Sequence, residues 1–142
     1  MVKEEIISRL PFAKPFLFVD EILNVDHDGI TGTFCFDESL EFYKGHFIDN
    51  PVTPGVILIE TMAQIALVSF GIYLVAEVVN KPESLAMTSA EIEFLKPVFP
   101  GEKVIVEGEK VYFRFGKLKC TVEMRNELNE VVCAGTISGI IK

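Results

Sequence analysis

The run Phe42-Tyr43-Lys44-Gly45-His46-Phe47, then Pro51-Val52-Thr53-Pro54-Gly55, then Val56-Ile57-Leu58-Ile59-Glu60-Thr61-Met62-Ala63-Gln64-Ile65-Ala66 ends in a helix that is apolar on every face. Such a helix belongs inside a protein, covered on all sides. One carboxylate, Glu60, interrupts it, and a buried carboxylate is costly unless it is paired or used. Gln64 lies one turn on, on the same face and within reach of Glu60. Thr61 and Ser69 can each bond a carbonyl one turn back, whereas Glu60 has no such local solution. Thr53 is the expected N-cap, with Pro54 at the first helical position, where its missing N–H costs nothing. The helix is predicted to run to about Val79 and to be stopped by Asn80-Lys81-Pro82.

Working outward, Lys3–Leu10 reads as a short amphipathic helix with Ile6, Ile7 and Leu10 on one face, ended by Pro11 and Pro15. Phe16–Val25 and Ile30–Phe36 are β-branched and apolar runs around Asp26-His27-Asp28-Gly29, which predicts a hairpin. Asp37–Thr53 is expected to be an irregular loop. After the helix come predicted strands over Leu85–Phe94, Lys103–Phe115, Lys117–Arg125 and Glu130–Ile141. One helix set apart from a run of strands implies an α+β protein with an antiparallel sheet. A helix without a polar face needs a sheet curled around it, because a flat sheet covers only one side.

The chain has 142 residues, which suits a single domain over 1–142, and 49% of them are hydrophobic, enough for a sizeable core. Twelve Phe and no Trp suggest a core, and a ligand channel, lined by flat apolar rings. A net charge of −8 argues against nucleic acid and anionic membrane surfaces as partners. No membrane span is expected in Val56–Val79. Glu60, Gln64 and Glu77 interrupt it, and the uncharged run Thr61–Ala76 falls short of the ~20 residues a span needs. Cys35, Cys120 and Cys133 have no CxxC spacing and are expected to be small buried hydrophobes in a reducing compartment. Met1-Val2-Lys3-Glu4-Glu5 lacks the apolar core of a signal peptide, so a cytoplasmic location is expected.

A His and a Glu, each able to move a proton, form a candidate acid–base pair. His46 stands out by its company, with Phe42, Tyr43, Phe47 and Pro51 in the same loop, whereas His27 in the hairpin turn is expected to be surface decoration. Glu60 has two readings: it pairs with a basic residue from another segment, or it works as an acid or base. Gly55 adds a third element. The first N–H groups of a helix lack internal partners, and a residue without a side chain leaves them open to an incoming carbonyl, although Gly55 also suits simple tight packing. Base, acid and carbonyl-polarising N–H fit one reaction class, in which a proton leaves the carbon α to a thioester and a β-hydroxyl departs as water. Two His and three scattered Cys form no ligand cluster, so neither metal nor other cofactor is expected.

At these residues the chain resembles the 3-hydroxyacyl-acyl carrier protein dehydratases of the FabZ type. Leu10-Pro11 with Pro15-Phe16-Leu17-Phe18-Val19-Asp20 is similar to the family's LPHRxPFLLVD segment. Phe42 to Val56 is similar to its FFxGHFPxxPxxPGV loop, Glu60-Thr61-Met62-Ala63-Gln64 to its E-A-M-A-Q helix, and Lys96-Pro97-Val98 with Pro100-Gly101-Glu102 to its RPVxPGD strand-turn. The resemblance implies a hotdog fold, a long central helix wrapped by a curved antiparallel β-sheet. It also implies a homodimer, or a trimer of such dimers, whose sites each take His46 from one subunit and Glu60 from the other. It assigns His46 as base, Glu60 as acid, the Gly55 N–H as the holder of the thioester carbonyl and Gln64 as a support for Glu60. Glu at position 60 is similar to the dehydrating type, not to the sister type that also isomerises the double bond.

The chain departs from the pattern at Phe12-Ala13, Ile48, Glu93 and Leu95, where the family often has His-Arg, Pro and basic residues. These departures suggest a specialised relative in a polyketide- or aryl-polyene-like pathway. The implied partner, an acyl carrier protein, is acidic. The expected docking cations are Lys96, Lys103, Arg114 and Lys117, with Lys14 and Lys119 as further candidates. The alternatives are a hotdog acyl thioesterase or CoA-thioester hydratase, and a non-catalytic subunit of a dehydratase heterodimer.

Overall fold

The computed structural model describes residues 1–76 and 85–141. The expected helix end near Val79, the Asn80-Lys81-Pro82 stop and Glu77 lie outside the described residues. The chain opens with helix α1 (Lys3–Ser8) and a hairpin of β1 (Glu21–Val25) and β2 (Gly29–Cys35). Asp26 closes the turn, its Oδ1 accepting from the N–H groups of Asp28 (2.8 Å) and Gly29 (3.0 Å). Strands β3 (Leu85–Phe94), β4 (Lys103–Arg114), β5 (Lys117–Asn126) and β6 (Val131–Ile141) follow the central helix. The six strands form one open antiparallel sheet in the order β1-β2-β4-β5-β6-β3. This is the expected α+β hotdog architecture.

The first expected strand is shortened, because the Phe18 N–H turns away from the sheet to donate to Gln64 Oε1 at 2.8 Å. Contact with β2 begins only at Asp20, whose N–H donates to the Thr33 carbonyl at 2.8 Å. The loop from Asp37 to Thr53 contains a short 3₁₀ turn, Glu41–Lys44. His27 is exposed, as expected.

The central helix departs from expectation in three ways. It is built as α2 (Gly55–Ala63), a π-helical segment Gln64–Ser69 and α3 (Phe70–Val75). The wide turn is closed by side chains: Ser69 Oγ donates to the Gln64 carbonyl five residues back (2.7 Å), and the Cys120 thiol to the Ala66 carbonyl (3.5 Å). Secondly, Thr53 does not cap it. Pro54 occupies the N-cap with its carbonyl accepting from Ile57 and Leu58, while the Thr53 hydroxyl is engaged by Tyr43 at 2.6 Å. Thirdly, burial is one-sided in sequence. Every residue from Thr61 to Ile72 is buried, but Val56 is 71% exposed and Gly55, Ile57 and Ile59 are half-exposed. The helix is long and apolar enough to cross a membrane by length and composition, yet the chain's own sheet buries most of it.

The core fills the space between helix and sheet with Met62, Ile65, Phe70, Val104, Val122 and Ile137, all nearly inaccessible. The approach is close: a Cβ on Gly108 of β4 would sit 2.6 Å from Ala66 Cβ. A ladder of rings, Phe12, Phe16, Phe18, Phe34 and Phe36, tilted at its first step and edge-on at the other three, runs from the N-terminal segment into the sheet with centroids 4.9–6.4 Å apart. Cys120 and Cys133 are buried and burial pushes both thiols up to about 12. Cys35, expected inside, is exposed, because it is the outward residue at the end of β2, beyond inward Phe34.

Candidate active site

The loop before the helix holds His46 rigidly. Tyr43 in the same loop is buried, and burial pushes its hydroxyl above the usual phenol range, partly offset by the bond to Thr53. The His46 N–H donates to the Phe42 carbonyl (3.0 Å) and the Val52 N–H returns to the His46 carbonyl (2.9 Å). Phe47 and Asn50 exchange N–H···O bonds at 3.0 Å, and the Phe47 ring stacks on the imidazole at 4.0 Å. The decisive bond is from His46 Nδ1 to the Val52 carbonyl, 2.9 Å. A carbonyl only accepts, so Nδ1 carries the hydrogen and, in the neutral ring, Nε2 is left with its lone pair.

Glu60 is half-buried, not buried as expected, since it lies on the open part of the helix. Its partner is Gln64, which is wholly inaccessible and whose amide orientation is fixed by its neighbours. Gln64 Oε1 accepts from the Phe18 N–H (2.8 Å), so Nε2 points the other way and donates to the Phe16 carbonyl (2.9 Å) and to Glu60 Oε2 (3.0 Å). One carboxylate oxygen is thereby pinned, leaving Oε1 for other chemistry. Among the described residues no basic side chain pairs with Glu60.

Glu60 stands at an apolar cavity of about 200 Å³, roofed by Phe12 and Phe16 and reaching Leu67, Leu118 and Gly139. Gly55, at the first helical position, borders a separate cleft with Thr53, Phe94 and Lys96. Its N–H has no partner within the helix, and a Cβ there would press on the Phe94 ring at 3.1 Å. A larger depression, about 350 Å³, lies on the outer sheet face among Asp26, Asp28, Glu107, Glu109 and Glu123. It is lined by carboxylates and contains none of the residues above.

The structure therefore joins Glu60 to Gln64 and sets Gly55 one and a half turns before Glu60, but it does not join His46 to either. No hydrogen bond links His46 with Glu60 among the described residues, and His46 lines neither the cavity nor the cleft. The expected docking cations do not form one surface. Lys96, in an ion pair with Glu130 at 2.9 Å, and Lys103 lie at one end of the sheet. Arg114 and Lys117 face each other at the opposite end of β4, roughly 35 Å away by strand rise. The Asn126 amide and the Lys96 ammonium hold the Glu130 carboxyl below its usual range. Sequence reasoning missed the Tyr43–Thr53 clamp, the Val52 carbonyl behind His46 and the Phe94 ring over Gly55. Only the apolar identity of Phe12 and Phe16 signalled the cavity roof.

The model of the FabA-like domain family matches residues 10–130. The chain is 34% identical to the 3-hydroxyacyl-[acyl-carrier-protein] dehydratase FabZ of Caldicellulosiruptor saccharolyticus, over 96% of each chain. It is 33% identical to that of Acinetobacter baylyi, over 83% of this chain and 81% of the relative. Among solved structures it is similar in fold to the dehydratase heterocomplex ApeI:P of Xenorhabdus doucetiae, with TM-score 0.81 at 13% identity over 100% of this chain and 92% of that one. A hypothetical thioesterase with coenzyme A from Streptococcus pneumoniae shares the fold more loosely, with TM-score 0.61 at 16% identity over 86% and 84% of the two chains.

Proposed function

Since the chain belongs to the FabA-like family and matches FabZ dehydratases over most of its length, we propose that His46 and Glu60 of two different copies act as base and acid in one site. The activity is dehydration of 3-hydroxyacyl-acyl carrier protein to the trans-2-enoyl thioester, in fatty acid biosynthesis. The thioesterase likeness extends to the fold alone.

The observation that carries the assignment is the pinned carboxylate at the mouth of an apolar cavity. The substrate's thioester carbonyl accepts from the Gly55 N–H, which takes up charge as an enolate develops. His46 Nε2 removes the proton on the α-carbon. Glu60 in its acid form, with Oε2 held by Gln64 and the proton on Oε1, protonates the departing β-hydroxyl. The C–O bond breaks, water leaves and the double bond forms between the α- and β-carbons. The imidazolium then returns its proton towards Glu60 or solvent, and both groups are reset.

Two features support a homodimer, alone or in threes. Strand β3 is an edge strand of ten residues, mostly exposed, with an unpaired row of backbone groups on its free side. Beside the loop, Val56, Phe47 and Ile48 leave apolar surface open. Pairing through β3 would bury these and bring a second chain's His46 to Glu60. The single domain works in the cytoplasm with its substrate delivered on the carrier.

The test is complementation. His46→Ala and Glu60→Gln chains are assayed singly and after subunit exchange at 1:1, following hydration-sensitive absorbance of the enoyl thioester. A mixed dimer has one site with both native residues, so the mixture should recover up to about a quarter of native activity. No recovery after demonstrated exchange would place both residues in one chain's site.

A further inference from the structure

Between Asp37 and Pro54 only two residues are buried, Tyr43 and Thr53, and their hydroxyls bond each other at 2.6 Å. Neither hydroxyl is where local chemistry would leave it. A buried phenol costs stability unless it is bonded, and the FFxGHF motif that this stretch resembles has Phe at the position of Tyr43, which fills the same space without that cost. A threonine two residues ahead of an unpaired N–H ordinarily accepts from it, in the local turn that Ser and Thr favour. Thr53 stands two residues ahead of Gly55, the first residue of α2, and bonds Tyr43 instead.

The consequence lies at the Gly55 N–H. Among the described residues it has no hydrogen-bond acceptor, while the N–H groups of Ile57 and Leu58 are taken by the Pro54 carbonyl. Thr53 and Gly55 line the same cleft, together with Leu58, Phe94 and Lys96. A Thr53 hydroxyl released from Tyr43 and an incoming carbonyl would therefore compete there for one N–H. Thr53 is held at two points: its own N–H donates to the Val98 carbonyl at 2.8 Å, and Tyr43 engages its hydroxyl. Burial raises the Tyr43 hydroxyl above the usual phenol range, so it keeps its proton, and its bond to Thr53, at neutral pH.

We propose that Tyr43 is a positioning residue, which keeps the Gly55 N–H vacant for the substrate's thioester carbonyl by engaging the Thr53 hydroxyl; this rests on the dehydratase reading above. Tyr43 lines neither the cavity at Glu60 nor the cleft at Gly55. It acts through Thr53, and what it prevents is an internal cap on the helix. A helix start satisfied by its own threonine is more stable and less able to stabilise a developing oxyanion. The phenol that the loop buries in place of a plain ring thus leaves one N–H unpaired at the point where a carbonyl must bind.

The experiment follows two readouts in the full-length chain: kcat/KM for a 3-hydroxyacyl-acyl carrier protein, and hydrogen exchange of the Gly55 amide by NMR. Tyr43→Phe keeps the ring and releases the Thr53 hydroxyl. It should lower kcat/KM about tenfold or more and slow Gly55 exchange by a similar factor, because the amide gains a partner. Adding Thr53→Val removes the competing oxygen at nearly the same shape. The double variant should regain kcat/KM to within about threefold of native, since both hydroxyls are gone and none is left unpaired, and Gly55 should return to fast exchange. Tyr43→Phe with native kcat/KM, or with native Gly55 exchange, would overturn the role. So would a loss that Thr53→Val leaves in place, which would make the hydroxyl pair a support of the loop and nothing more. Native protein that dehydrates no 3-hydroxyacyl thioester would overturn the dehydratase reading and this proposal with it.

Discussion

The two halves of the central helix are equally apolar in sequence and differ in what covers them. From Thr61 to Ile72 the chain's own sheet encloses every face, down to a 2.6 Å approach at Gly108 that leaves no room for one methyl group. From Pro54 to Glu60 the helix is open on one side: Leu58 is buried, but Val56 faces out, Gly55 has no internal partner for its N–H, and Glu60 looks into a cavity. The covered half holds the fold together, since burying such side chains contributes about 1.5–3 kcal/mol each. The open half holds a carboxylate, a bare N–H and an unused apolar surface. Apolar character alone does not distinguish the two. The unspent polar groups do.

The sharpest way to break this division is to remove chemistry from the open half. Glu60→Gln, and His46→Ala in the loop that leads to it, should each lower kcat by ~10²–10⁴, the usual reach of one general acid or base. Their melting temperatures should stay within a few degrees of native, because neither side chain is part of the core. A variant that keeps its activity, or loses it only by unfolding, would erase the distinction.

Gln64 sits at the boundary and should show both effects. Gln64→Leu leaves the Phe18 N–H without its acceptor and the Phe16 carbonyl and Glu60 Oε2 without their donor. Leaving buried polar groups unpaired should cost about 3 kcal/mol, a fall in Tm of roughly 6–12 °C for a chain of this size. The kcat of the folded protein should drop too, as Glu60 is no longer held. A large loss of kcat without a change in Tm would make Gln64 part of the open half alone.

A pair of glycine substitutions sharpens the comparison. Gly108→Ala drives a Cβ against the fixed Cβ of Ala66 in the covered half. It should cost about 1–3 kcal/mol of stability, read by denaturant titration, with activity per folded molecule retained. Gly55→Ala meets only the Phe94 ring, half-exposed and able to swing aside. Its stability should hardly change, while the methyl group hinders a carbonyl approaching the N–H and lowers kcat about ten- to hundredfold. The reverse pattern would mean that Gly55 serves packing.

How much of this was legible in the sequence follows the same division. The strands after the helix announce themselves by alternation and turn residues, and Leu85–Phe94 is found as expected. Motif and spacing bring out His46, Gly55, Glu60 and Gln64, because their residue types are costly where they stand. The choice a polar group makes between competing partners left no such trace. Nothing in the composition says that Thr53 prefers Tyr43 to the helix N-terminus, that Ser69 closes a π turn, or that the Val52 carbonyl orients His46. The expected docking cations are separated for a related reason. Sequence order places Lys96, Lys103, Arg114 and Lys117 close together, while an antiparallel strand carries its two ends to opposite sides of the sheet.

The smallest effect expected is one of thiol chemistry. Cys120 and Cys133 lie against the covered half, the first on the Ala66 carbonyl and the second with its sulfur 3.9 Å from those of Met62 and Met124. Burial pushes both up to about 12 from the ordinary 9.0, so at pH 8 only about one thiol in 10⁴ is ionised. Cys35 is exposed, and partial burial, then Asp20, Asp37 and Glu127, raise it less strongly, with Lys103 opposing. Iodoacetamide at pH 8 should therefore modify one thiol in the native chain, more slowly than a free small thiol, and three in denaturant. The two buried thiols also set a direction for stability. Their folded pKa is raised, so they weigh nothing below the unfolded value and begin to favour unfolding as pH rises from 9 towards 12. Urea midpoints should thus be flat between pH 7 and 8 and fall above 9. Native Cys120 labelled as fast as Cys35 would show that the covered half opens as readily as the surface, and the two halves of the helix would then differ in chemistry but not in cover.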